Sequence, residues 1–177
     1  MRLFLATSIA LVVLFAPACS NRSSSSTSER RGCLYRNVFA ALDEVRGVRA
    51  LCPRWLPDGV RPTYINANMA TGYVVEFEPL GKLFPHVVLQ LTPDDPPGNP
   101  IGHAEVGDRR AAIYYSPSSP SVPAGLHSGH YIVAFPGTAY QRGIYWVSIH
   151  EDSRRSRQSN VQRVLRIARS LRPVSSL

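Results

Sequence analysis

The sequence is poor in several features, and each scarcity limits what the protein can be. It contains three cysteines and one lysine among 177 residues, and no continuous apolar run long enough to span a bilayer. A spanning helix needs about 20 apolar residues, so the composition excludes a polytopic membrane protein. With 44% hydrophobic residues, the chain falls in the globular range and is long enough for one domain.

The charge is one-sided, with 20 Lys+Arg against 12 Asp+Glu and a formal net charge of +8. Such an excess permits attraction to anionic membranes, anionic polymers or nucleic acid, but net charge bears only on association and solubility. The compartment expected for the chain removes nucleic acid from this set of partners.

The first eighteen residues have the pattern of a bacterial export signal. Arg2 supplies a positive start, residues 3–16 form an apolar core, and Ala16-Pro17-Ala18 is a small-x-small cleavage site. We therefore expect residues 1–18 to be a signal peptide and the remainder to be extracytoplasmic.

Cys19 directly follows this cleavage site. Residues 15–19 (FAPAC) resemble the lipobox of bacterial lipoproteins, with Pro17 as an atypical member. The resemblance implies that Cys19 carries acyl chains, such as palmitate, which anchor the protein to the outer leaflet of the cytoplasmic membrane. The alternative is a secreted protein in which Cys19 is a free thiol.

Export also predicts the state of the other two cysteines. We expect residues 19–32 to be a lipidated, Ser-rich tether and residues 33–177 to be a single globular domain. In an oxidising compartment the remaining pair, Cys33 and Cys52, is expected to form a disulfide, with two buried free thiols as the alternative. A disulfide needs Cα atoms about 4.4–6.8 Å apart, so the helix predicted over residues 37–46 must end near Gly47 and let the chain return.

Hydrophobic periodicity predicts the rest of the fold. After a rigid, proline-containing loop over residues 52–60, alternating apolar residues predict six strands. These strands cover residues 72–78, 86–92, 103–106, 110–115, 130–135 and 143–150. Helical spacing over residues 160–171 predicts an amphipathic helix. The expected class is α+β: an antiparallel sheet of about six to seven strands, with the N-terminal and C-terminal helices packed on one face.

Three segments carry a resemblance to a known group of proteins: residues 50–59 (ALCPRWLPDG), 129–135 (GHYIVAF) and 164–171 (VLRIARSL). They are similar to segments of uncharacterised extracytoplasmic domains in actinobacterial and other Gram-positive lipoproteins and in some anti-sigma regulators. The resemblance implies a sheet-and-helix α+β domain and transfers no catalytic residue. Cys52 departs from the pattern of that group and is interpreted as part of the local disulfide.

Aromatic and histidine side chains on or beside adjacent predicted strands are the candidates for contact with a ligand. They are Tyr114, His127, His130, Tyr131, Tyr145 and Trp146. Aromatic rings suit apolar or sugar ligands, although most rings of this kind belong to a core. His127 lies in a Ser/Pro/Gly-rich segment, residues 116–129, whose length is typical of functional or mobile loops.

No catalytic constellation, cofactor site or metal site is predicted. His103 and His150, added to His127 and His130, lack the spacing of a zinc site, and no serine lies in a Gly-x-Ser-x-Gly elbow. Glu76 and Glu78 share one side of a strand, which is more typical of a solvent-facing surface than of a glycosidase pair.

The arginines near the C-terminus allow two interpretations, contact with anionic lipid head groups or a solvated helix face. They are Arg154, Arg155, Arg157, Arg163, Arg166, Arg169 and Arg172.

These interpretations favour a lipid-anchored cell-envelope protein with a non-catalytic domain that binds a ligand or partner. The expected partners are the cytoplasmic membrane, through the anchor, and an envelope protein, a lipid or a glycan. One alternative is a lipid or glycolipid carrier, in which the apolar sheet face holds an acyl chain instead of closing on the helix. A second alternative is a cell-wall hydrolase.

The lipid anchor has a direct test. Replacing the acylated residue, Cys19→Ala, removes the attachment point, so the protein should move from the membrane fraction to the soluble extracytoplasmic fraction. Cell fractionation and immunoblotting measure this shift. Continued retention in the membrane fraction would refute lipid anchoring.

Overall fold

A computed structural model of the chain describes residues 32–45, 49–68, 72–81, 85–117, 129–137 and 143–174. The predicted export signal, Cys19, the predicted tether up to residue 31, Gly47 and His127 lie outside the described residues, as does most of the segment 116–129. Within these ranges, no helix has both the length and the apolar character needed to cross a bilayer.

The described residues form two helices and nine strands. In chain order they are α1 (Arg36–Asp43), β1 (Leu51–Pro53), β2 (Val60–Asn68), β3 (Gly72–Pro79), β4 (Val87–Thr92), β5 (Gly102–Val106), β6 (Arg109–Ser116), β7 (His130–Pro136), β8 (Ile144–His150), α2 (Arg157–Ser170) and β9 (Leu171–Pro173).

Seven of these strands form one antiparallel sheet in the order β2-β3-β4-β8-β7-β6-β5, while β1 and β9 form a separate antiparallel pair. Because β8 pairs with β4, the β5–β6 hairpin lies at the far edge of the sheet. The predicted α+β class and the seven-stranded antiparallel sheet are confirmed.

One face of the sheet, called the inner face here, carries the hydrophobic core. Alternate residues of β3 and β4 are buried, as their periodicity predicted. Fully buried Val164 and Ile167 of α2 belong to the same core cluster as Val133 and Val147 of the sheet. Phe39 of α1 stacks on Phe77 of β3 with ring centroids 6.3 Å apart. Burial of apolar side chains of this size contributes about 1.5–3 kcal/mol each, so the helices are held mainly by this face.

The predicted cysteine pairing is present in the structure. The Cα atoms of Cys33 and Cys52 lie 5.6 Å apart, within the range for a disulfide. Alongside the bridge, Leu34 N donates a hydrogen bond to Pro53 O at 2.8 Å. α1 ends at Asp43, earlier than predicted, and the Asp43 carboxylate accepts a hydrogen bond from Ala50 N at 2.9 Å. This bond helps to turn the chain back towards β1.

The bounds predicted for the C-terminal helix were wrong at both ends. α2 begins at Arg157 because Ser156 caps it, with its hydroxyl accepting a hydrogen bond from Ser159 N at 3.2 Å. It ends at Ser170 because Leu171 adopts an extended conformation and pairs with β1 as part of β9.

Three strands were not predicted from the sequence. Part of the predicted loop, Cys52 and Pro53, belongs to β1, which pairs with β9. β2 is an edge strand whose register shifts between Pro62 and Tyr64, and much of its surface is exposed. The proline, the shift and the exposed positions remove the apolar alternation that identifies a strand.

A fully buried asparagine should make a large contribution to stability. The amide of Asn160 donates to Asp152 O and accepts from Asp152 N, both at 3.1 Å, and so holds the turn before α2. Asn160→Ala leaves these backbone groups without their partner, so we expect the free energy of unfolding to fall by about 2 kcal/mol in urea denaturation. Gln162→Ala, on the exposed side of the same helix, is the control, with an expected change within about 0.5 kcal/mol. Equal effects of the two substitutions would contradict this role.

Candidate functional site

The sheet face that does not carry the α2-packed core, called the outer face here, carries two groups of side chains. One is a histidine cluster formed by His86, His130 and His150. The other is an apolar cluster of Tyr114, Ile132 and Ala134, against which Ile144 and Trp146 pack. Both groups follow from strand alternation, since successive strand residues point to opposite faces.

The histidine cluster forms because three chain segments meet at one end of neighbouring strands. His130 begins β7 and pairs in register with His150 at the end of β8. The main-chain N–H of His150 donates to His86 O at 3.2 Å, just before β4. The ring centroids of His130 and His150 lie 3.9 Å apart, and those of His86 and His150 lie 4.9 Å apart. Sequence-distant imidazoles are therefore in direct contact.

Acidic and hydroxyl groups surround this cluster. His86 Nε2 lies 3.3 Å from Glu76 Oε2 and 3.9 Å from Glu78 Oε1. His130 Nδ1 lies 3.0 Å from Ser148 Oγ. Glu76 and Glu78 therefore lie beside the His86 imidazole. Both occupy the polar side of β3, as the sequence predicted, and both have this histidine as a neighbour. In the described part of the chain, no group of three or more His, Cys, Asp or Glu side chains is placed to hold a metal ion.

The apolar cluster borders a cleft of about 490 Å³. Strand register places Tyr114 opposite Ile132, and Ala134 opposite Trp146. The cleft lining includes the apolar side chains of Tyr114 and Ile144 and the polar side chains of Asp95, His103 and Arg110. It therefore offers apolar surface together with one negative group, one positive group and an imidazole.

Trp146, which packs against the apolar cluster, has an unsatisfied donor. Its indole Nε1 is buried and makes no hydrogen bond within the described residues. Buried donors are nearly always paired in proteins, so an isolated one needs a physical explanation.

The structure divides the predicted ligand-facing residues between the two faces. Tyr114, His130 and Trp146 lie on the outer face, whereas Tyr131 and Tyr145 are buried in the main core. The Tyr145 hydroxyl donates to Arg49 O at 2.6 Å, and burial raises the pKa of Tyr145 to about 12. Tyr131 and Tyr145 therefore belong to the core and not to a ligand-facing surface, because odd-numbered residues of β7 and β8 point inward.

Sequence reasoning missed His86 as a site residue. Alternation along the predicted strand 86–92 places His86 on the outward side, but its proximity to His130 and His150 depends on the pairing of β4 with β8. Hydrophobic periodicity identifies strands without ordering them.

A second set of contacts fixes the residue that precedes His130. Glu151 N donates to Gly129 O at 2.7 Å, and the Tyr115 hydroxyl donates to Glu151 Oε2 at 2.8 Å. A Cβ atom on Gly129 would come 2.5 Å from the Tyr115 hydroxyl oxygen, so only glycine fits without rearrangement. Tyr115, Glu151 and Gly129 together position the start of β7.

No protein-family model matches this sequence, and no curated protein shows significant similarity to it.

The contact between Tyr115 and Glu151 predicts a measurable titration. The hydrogen bond to the Glu151 carboxylate, with desolvation as a smaller cause, raises the pKa of Tyr115 to about 12 from an ordinary value of 10.0. Glu151→Ala should lower this pKa towards the ordinary value, as measured by NMR of ring-labelled tyrosine. Glu78→Ala, on β3, should leave the pKa of Tyr115 unchanged.

The same shift gives a pH dependence of stability. Since the pKa of Tyr115 in the folded protein exceeds the ordinary value, its protonated hydroxyl stabilises the folded state fully below pH 10.0. This contribution to the free energy of unfolding is lost as the pH rises through about 12. An unchanged pKa of Tyr115 in the Glu151→Ala protein would contradict the conclusion that the hydrogen bond to Glu151 raises this pKa.

Proposed function

We propose that this chain is a lipid-anchored cell-envelope protein whose domain binds a ligand or partner outside the cytoplasmic membrane without transforming it. The predicted export signal and the lipobox-like sequence that ends at Cys19 support this location. The outer-face cleft supports the binding role.

The observation that carries the binding role is the outer-face cleft of about 490 Å³, whose lining combines apolar and charged side chains. Ligand sites commonly combine apolar and aromatic surface with a few polar groups that fix orientation.

The lining of the cleft indicates the class of ligand. Tyr114 and Ile144 offer apolar contact, while Asp95, His103 and Arg110 can exchange hydrogen bonds with hydroxyl or carbonyl groups. A compact molecule with an apolar ring face and several polar substituents, such as a glycan unit, matches this combination.

The first alternative, a lipid or glycolipid carrier, requires an open apolar face on the sheet. α2 packs against β7 and β8 on the inner face, and its Val164 and Ile167 are fully buried there. This packing favours the binding-domain proposal over the carrier.

The second alternative, a cell-wall hydrolase, requires two carboxylates that face each other across a bound sugar. Glu76 and Glu78 instead lie on the same side of one strand, and both approach His86 Nε2. This arrangement favours a non-catalytic role for the pair.

Native mass spectrometry of the processed protein, extracted from the envelope in which it is made, tests the proposal. The wild-type protein should retain a noncovalent mass. His103→Ala/Arg110→Ala removes two polar groups from the exposed rim of the cleft and should abolish its retention. Arg61→Ala/Thr63→Ala is the matched control, because both residues are exposed on β2 and the substitution also removes one arginine.

The mass-spectrometric comparison can give a supporting result, a contradicting result or a result that favours the carrier. A small molecule or a protein lost only from the cleft variant supports the proposal. A wild-type protein without any bound mass contradicts it, as does equal loss from both variants. An acyl-chain mass retained by both variants would favour the carrier alternative.

A further inference from the structure

Four arginines line a second cleft at the C-terminal end of α2, remote in sequence from the outer-face residues. They are Arg54, Arg166, Arg169 and Arg172, and together with Gln162 and Ser170 they enclose about 430 Å³. Three come from α2 and the start of β9, and Arg54 comes from the segment after β1. We call this the arginine cleft.

Ring and backbone contacts orient these guanidinium groups. The Arg166 guanidinium lies over the Trp55 ring, with its central carbon 4.1 Å from the ring centroid. Arg172 Nη1 donates to Arg169 O at 2.8 Å and to Leu171 O at 2.6 Å. Arg169 Nε donates to Glu105 O at 3.1 Å. The partners are carbonyls and a ring, so these contacts leave the positive charges without a counter-charge.

The nearby acidic residues do not neutralise the arginine cleft. Within the described part of the chain, none of its four arginines forms an ion pair with a carboxylate. Asp152 pairs with Arg154 and Arg155 instead, both at 3.0 Å, before the start of α2. Four positive charges therefore share one small cleft.

Arg54 supplies a second observation that is independent of the charge. Its Nε is buried and has no hydrogen-bond partner among the described residues. Leaving a charged donor buried and unpaired costs more free energy than leaving a neutral donor unpaired. A hydrogen-bond acceptor beside Arg54 Nε would therefore stabilise the protein.

The negative end of the α2 dipole explains part of the arrangement, because cations stabilise the last turn of a helix. It accounts for Arg169 in that turn. It does not account for Arg54, which lies outside the helix, or for its unpaired Nε. A bound anion accounts for both.

We propose that the arginine cleft binds an anion that carries phosphate groups. The planar guanidinium fork pairs with phosphate oxygens in a bidentate manner, and several such groups converge on the cleft. The phosphate belongs either to a soluble solute or to the head group of a membrane lipid, which share this chemistry. The inference does not depend on the ligand proposed for the outer face.

The test uses the processed chain, residues 19–177, carrying Cys19→Ala, so that neither an acyl chain nor the apolar signal sequence contributes to membrane binding. Calorimetry measures binding of inorganic phosphate, and co-sedimentation measures binding to phosphatidylglycerol vesicles and to phosphatidylcholine vesicles. Arg54→Gln/Arg166→Gln should raise the Kd for phosphate by about tenfold or more, because each lost guanidinium removes charged hydrogen bonds.

Arg154→Gln/Arg155→Gln is the matched control. It removes two positive charges, as the cleft variant does, but near the opposite end of α2. That end lies about 20 Å from the arginine cleft, and salt strongly screens charge interactions over this distance. Its Kd for phosphate should change by less than about twofold. Thermal unfolding checks the fold of both variants. If the Arg54→Gln/Arg166→Gln protein does not fold, Arg54→Lys replaces it, since lysine keeps the charge but lacks the guanidinium fork and should bind phosphate more weakly.

Each outcome decides the inference. Phosphate binding weakened only by the cleft variant supports it. Additional, cleft-dependent sedimentation with phosphatidylglycerol but not phosphatidylcholine vesicles identifies a lipid head group as the source, and phosphate binding without vesicle binding identifies a soluble one. Absence of binding to both probes overturns the inference. An equal loss of phosphate binding in the control variant also overturns it. If the Arg54→Lys protein replaces the cleft variant, unchanged phosphate binding by that protein overturns the inference as well.

Discussion

Burial of the apolar stripe of α2 against the inner face of the sheet is the constraint on which the rest of the structure depends. Val164, Ile167 and Ala168 are fully buried and join a core cluster that includes residues from β1 and most strands of the large sheet. This packing assigns the inner face to stability and leaves the outer face to the proposed binding role. It also places the last turn of α2 beside Trp55, so that Arg166 stacks on that ring.

The fold was largely predictable because local periodicity encodes it. Strands β3 and β4 alternate cleanly between apolar and polar residues, and their burial follows that alternation. β2 was missed because an exposed edge strand with Pro62 and a register shift has no such alternation. The start of α2 depends on a capping hydroxyl, that of Ser156, whose role is specified by geometry rather than by hydrophobicity.

The candidate sites were less predictable, because they depend on strand order and on contacts between distant segments. His86 and His150 lie 64 positions apart in the chain and meet only because β8 lies beside β4. Tyr145 and Trp146 are neighbours in sequence but belong to opposite faces, so adjacent aromatic residues did not indicate a shared surface. Arg54 joins the arginines of α2 through tertiary packing, which no pattern in the sequence expresses.

The bridge between Cys33 and Cys52 also determines how the domain responds to mechanical tension. A pulling force applied through the chain that precedes Cys33 passes across the sulfur atoms directly to β1. The 19-residue interval closed by the bridge, which includes α1, therefore lies outside the load path. The tension is transmitted instead to the ladder between β1 and β9, which joins the segment after the bridge to the end of α2. When the domain is pulled from its N-terminal side, α1 would carry no load for as long as the bridge remained intact.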